Sequence, residues 1–89
     1  MSALLVAYQI RSAVGNRWKI SETIKASSNG WWHYIENVWI VNTTDTANDF
    51  ALKLYPYIHR EQDSLFVVRI TKEFQGWLPQ EAWDWLKVT

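Results

Sequence analysis

Residues 3 to 10 read ALLVAYQI, an apolar run whose first frankly polar residue is Gln9. In a chain of only 89 residues this run constrains the fold more than any other feature. Successive side chains of a strand point to opposite sides of a sheet, so an apolar run of this kind suits a central β-strand covered on both faces. A chain this short forms a single domain, because it cannot divide into two pieces that each bury a core. The domain must therefore supply both covering layers itself or obtain one from elsewhere.

The rest of the chain alternates between helical and strand patterns. Gly15 and Asn16 form a turn signal, and Asn16 is placed to cap a helix over about 17–26, in which Ile20 and Ile24 lie four apart. Ser27-Ser28-Asn29-Gly30 breaks that helix. WWHYIENVWIVNT then reads as a hairpin of strands 31–35 and 38–43 around Glu36-Asn37. Thr44 or Asp45 caps a second helix, whose Ala47, Phe50, Ala51 and Leu54 keep helical spacing until Pro56 ends or kinks it. Arg60 to Asp63 reads as a polar turn, SLFVVRIT at 64–71 as a fourth strand, and Pro79 opens a short helix carrying Ala82, Trp83, Leu86 and a more exposed Trp85.

Strand, helix, strand, strand, helix, strand is the split βαβ order of an α+β, ferredoxin-like βαββαβ domain. It implies a four-stranded antiparallel sheet with two helices on one face and a short C-terminal helix. Leu4, Val6, Tyr8 and Ile10 suit the helix side, which leaves Ala3, Leu5, Ala7, Gln9 and Arg11 for the second face. The fourth strand divides into Phe66, Val68 and Ile70 against Leu65, Val67, Arg69 and Thr71. Grouping Arg69 with Gln9, Arg11 and His33 makes the second face apolar at one end and polar at the other. Such a face is expected to pair with a second copy of the chain as a homodimer.

Seven tryptophans, Trp18, Trp31, Trp32, Trp39, Trp77, Trp83 and Trp85, stand among fourteen aromatics. Packing in a core or interface is their ordinary role, and stacking on bases is the functional alternative. Nine basic and nine acidic residues leave no net charge, which excludes a polybasic nucleic-acid or membrane binder. Apolar residues at 48% and charged residues at 20% exclude a disordered chain. The absence of cysteine excludes disulfides, thiolate metal sites and a cysteine nucleophile. Ala3 to Tyr8 is too short to span a membrane and follows no basic residue, so a cytoplasmic location is expected.

LLVAYQI, NGWWHYIENVWIV with its paired Trp31-Trp32 and His33, the Trp39-Ile40-Val41 strand, DSLFVVRIT with Asp63 ahead of it, and the terminal W-x-W-L together resemble the SinR-like family. That family is distantly related to the small ferredoxin-like CRISPR-associated adaptation proteins and to VapD-type toxin ribonucleases. The resemblance implies a homodimer built through the sheet. In the relatives reported to cut nucleic acid, an aspartate in a tyrosine-aspartate-hydrophobic triplet holds Mg²⁺ with its symmetry mate. The matching triplet here is Tyr8-Gln9-Ile10, and a neutral amide compensates little of a hard cation's charge.

Other chemistry finds no support in the motifs. His33 and His59 lie 26 residues apart without metal-ligand spacing, and no nucleophile elbow or phosphate-binding glycine loop occurs. Gly15, Gly30 and Gly76 read as isolated turn residues, His59 as part of a solvated turn, and the scattered acids, Asp63 included, as caps and solubilising charges. Neither a catalytic residue nor a cofactor or metal is expected. Residues 1–35 hold Arg11, Arg17, Lys19 and Lys25 against the single acid Glu22, a local positive excess. The expected function is a non-catalytic homodimeric binding module for a nucleotide or short nucleic acid. Arg11, Arg17, Lys19 and Arg69 would meet phosphate, Trp31 or His33 a base, and Gln9 would stand at the join. A small phage or mobile-element protein that sequesters a nucleotide signal fits this size. The alternatives are a weak ribonuclease and a protein-interaction dimer that binds a host partner.

Overall fold

The computed structural model describes residues 2–12, 16–71 and 73–87. The turn expected at Gly15 lies outside the described residues. Strand β1 (Ser2–Gln9) is central, flanked by β3 (Val38–Thr43) and β4 (Ser64–Arg69), with β2 (Gly30–Ile35) on the far side of β3. All pairings are antiparallel and the order is β2-β3-β1-β4, an α+β sheet of ferredoxin-like topology. Helix α1 (Arg17–Ala26) begins at Asn16, whose side chain accepts from the Lys19 N–H at 3.0 Å. Helix α2 (Ala47–Leu54) is capped by Thr46, not by Thr44 or Asp45. Asp45 instead holds Lys53 at 2.6 Å. Pro56 ends α2 as its missing donor requires, and Tyr55–Tyr57 form one 3₁₀ turn.

The first core layer lies between the two helices and the sheet. Leu4, Val6 and Tyr8 meet Ile20 and Ile24 of α1, Phe50 and Leu54 of α2, and Trp39 and Val41 of β3. Each of these large apolar side chains contributes about 1.5–3 kcal/mol on burial. The Trp39 indole N–H donates to the Tyr8 hydroxyl at 3.3 Å, so neither polar atom is left unpaired in that layer.

The second face is not left wholly to a partner. Helix α3 (Gln80–Lys87) folds back across one end of it, and Ala82 and Leu86 bury Ala3, Trp32 and Ile40. The remainder of that face stays open. Cross-strand partners point the same way, so Phe66 stands beside Ala7 and Val38, and Val68 beside Leu5. Phe66 is 62% exposed.

Register corrects two placements. Arg69 pairs with Leu4, and Leu65 and Val67 pack into the first core layer, so the set containing Arg69 faces the helices. Both alternate sets of β4 are apolar, which leaves its facing open in the sequence. Buried Asp63 anchors the chain just ahead of the strand and sets the alternation. His33 likewise stacks on Trp39 and belongs to the helix side. Only Trp32 and Trp39 of the seven tryptophans are buried, while Trp18, Trp31 and Trp77 are exposed.

Candidate functional site

One end of the domain is organised around Asp63. Its carboxylate accepts from the backbone N–H groups of Arg11 (2.7 Å), Ser12 (2.8 Å) and His59 (2.9 Å) and from the Ser12 hydroxyl (2.7 Å). Burial pushes this carboxyl up, but the four donors, led by His59, outweigh burial and hold it far below the usual carboxylate range. Asp63 is therefore neither a cap nor a solubilising charge. It clamps the segment after β1 to the turn before β4, and its oxygens are committed to that task. His59, which it helps to hold, is half-buried rather than solvated.

Around this clamp the basic residues gather. Arg11 donates to the Gln9 side-chain carbonyl at 2.8 Å, and Arg17 donates to the Ile10 carbonyl at 3.3 Å. Lys19 sits 5.3 Å from the Trp18 ring on the first turn of α1. The Asn16 N–H donates to the Tyr57 carbonyl, which ties this helix start to the 3₁₀ turn. A cleft of about 770 Å³ opens beside the clamp, lined by Tyr55, Ile58, Arg60, Asp63, Ser64 and Leu65. Gln9 pairs with Ser64 across the sheet, which links the Gln9–Arg11 pair to the cleft's rim. Four cations, Arg11, Arg17, Lys19 and Arg60, thus share one end of the fold.

Three expected site residues lie elsewhere. Arg69 is five residues along β4 from Ser64, roughly 17 Å at strand rise, and on the other face from Gln9. Trp31 and His33 flank Trp39 on the helix side of edge strand β2, with ring centroids 5.3 Å and 3.8 Å away. Lys25 of α1 stands 5.2 Å above the Trp31 ring. Burial and then Lys25 lower the His33 pKa, against a smaller opposing pull from Glu36, so the imidazole is neutral at pH 7. A second cleft of about 460 Å³ runs along this edge, between Trp31, Trp32, His33 and Tyr34 of β2 and Glu81 and Trp85 of α3. The Trp32 indole N–H beneath it has no hydrogen-bond partner among the described residues.

Sequence reasoning missed Tyr55 and Arg60 as cleft walls and Glu81 with Trp85 as partners of β2. Both groups meet only through tertiary contacts, and spacing along the chain carries no sign of them. Among the described residues no three His, Asp or Glu side chains converge where they could hold a metal ion. No described helix is long and apolar enough to cross a membrane.

Fold and site together define an α+β domain of ferredoxin-like topology with a clamped basic corner, a half-open sheet face and an aromatic edge. No protein-family model matches the chain, and no curated protein matches it.

Proposed function

We propose that the protein is a non-catalytic binding module that pairs with a second copy and takes a nucleotide or short nucleic acid. The observation that carries this reading is the basic corner, where Arg60 lines a cleft with Tyr55 while Arg11, Arg17 and Lys19 stand on the adjoining elements. Arginines meet phosphate oxygens with charge-assisted, paired hydrogen bonds, and an exposed tyrosine offers a face for a base. Tyr55 takes the stacking role in place of Trp31 or His33, and Arg60 takes the phosphate role in place of Arg69. The uncovered strip of Phe66, Val68, Leu5, Ala7 and Val38 runs up to Gln9 at the same end, so a mate covering it about a two-fold axis along the strands would bring two such corners together.

A ribonuclease of the kind the SinR-like resemblance suggests would need a carboxylate free to hold a metal. Gln9 is an amide, and Asp63 is saturated by four donors. A second reading rests on Trp77, which stands 99% exposed, as a residue that docks on another protein would.

Calorimetry at low salt against mononucleotides, cyclic dinucleotides and short oligonucleotides tests the proposal. Binding should weaken by about five- to tenfold on either Arg60→Ala or Arg11→Ala and fall as salt rises. No heat across the whole panel would remove the nucleotide reading in favour of docking through Trp77. Pairing is tested separately by sedimentation, where Phe66→Glu should convert a dimer to a monomer. A wild-type chain that is monomeric at high concentration removes the pairing and leaves the cleft reading standing.

A further inference from the structure

The edge of the sheet farthest from β4 carries a second site of opposite chemistry. We infer that the cleft between β2 and α3 is a binding site for a quaternary ammonium group, with Tyr34 and Trp85 as its walls above buried Trp32 and Glu81 as its counter-charge. This site is separate from the basic corner and does not rest on the nucleotide reading.

Two elements build it. Among the described residues β2 is an edge strand paired only with β3, and Tyr34 stands with Trp32 on the side that α3 covers, opposite the face that carries Trp31 and His33. Helix α3 contributes Glu81 and Trp85, which are four apart and so share one helix face. Tyr34 packs edge-on against Trp32 at 5.1 Å, and its phenol pKa is raised by burial and then by Glu81, which lies close enough to the hydroxyl to place that charge at the cleft. Trp32 is buried beneath, so the aromatic floor is fixed by the α3 packing layer.

The chemistry of the walls selects the occupant. Aromatic faces carry negative quadrupole density, and a cation stripped of water gains most from them. With His33 neutral, Glu81 supplies the formal charge of the lining, so an anionic ligand is disfavoured. The charges that act on His33 from beyond the lining are Lys25 on the α1 side and Glu36 in the hairpin, of opposite sign. A primary ammonium or a small metal ion keeps a tight water shell that these walls cannot replace. A methylated ammonium is weakly hydrated and presents carbon to the rings and charge to the carboxylate.

The test titrates the full chain with choline, with tetramethylammonium, and with the uncharged carbon isostere of choline, following the tryptophan indole N–H resonances by NMR. Saturable shifts are expected for both cations, with the isostere weaker by about tenfold. Glu81→Gln, a change on an exposed helix position, should weaken choline binding several-fold while the remaining spectrum stays folded. Trp85→Leu should abolish it. Equal binding of the isostere, indifference to Glu81→Gln, or no saturable shift would each overturn the assignment. A peptide bearing trimethyl-lysine separates the sources: tighter binding than choline assigns the group to a protein tail, and tighter binding of choline assigns it to a small molecule, and both support the site.

Discussion

Docking of α3 on the second face is tested most directly at Leu86. This side chain is 9% exposed and packs with Ala3, Trp32, Ile40 and Ala82. Truncation to alanine removes three carbon groups, worth about 0.8 kcal/mol each when buried, so Leu86→Ala should cost about 2 kcal/mol after allowing for its residual exposure. The further penalty for an empty cavity should be small here. Leu86 borders an open groove of about 310 Å³ with Leu5, Val68 and Phe74, so water or neighbouring side chains can fill the space. In a domain of this size that loss lowers Tm by about 8–16 °C, readable by calorimetry or circular dichroism. Asp84→Ala, on the exposed side of the same helix, serves as the comparison and should shift Tm little. If Leu86→Ala lowers Tm by less than about 3 °C, the C-terminal helix does not contribute its apolar face to the domain, and the second core layer described above is wrong.

Three other outcomes follow from the geometry. Asp63 is held ionised in the fold well below its ordinary range, so its stabilising contribution is complete above about pH 4 and is lost as pH falls toward the folded value. Asp63→Asn should therefore lower Tm at neutral pH and flatten its acid dependence, and a variant with the wild-type pH profile would contradict the clamp. His33 should titrate below 6.5 by NMR because burial and Lys25 both disfavour its protonated form, and Lys25→Ala should move it upward. A His33 that titrates at or above the ordinary value would contradict its stacking on Trp39. Asn37 closes the β2–β3 hairpin with φ of 64°, so Asn37→Gly should be tolerated whereas Asn37→Ala should cost about 1 kcal/mol in chemical denaturation. Equal stability of the two variants would show that the turn adopts another backbone conformation.

Elements whose signals are local were legible before any coordinates. Asn16 as a cap, the Ile20–Ile24 stripe, the hairpin around Asn37, and the stop at Pro56 each depend on residues within a few positions of one another. The facing of β1 was legible as well, because one alternate set, Leu4, Val6 and Tyr8, is decisively larger and more apolar than the other. In β4 both alternate sets are apolar, so the choice between them fell to the Asp63 clamp, whose four donors come from residues up to 52 positions away.

The sequence by itself determined the order of elements, the ferredoxin-like topology and the presence of an incompletely covered sheet, because propensity, capping and periodicity act over short spans of chain. Only the tertiary structure decided which residues meet. It gathered Arg60 and Tyr55 with Arg11 and Arg17, moved Arg69 and His33 to the helix side, and laid α3 over one end of the second face. Those outcomes follow from register and from packing between distant segments. A single step of register exchanges the two faces of a strand without changing a single residue.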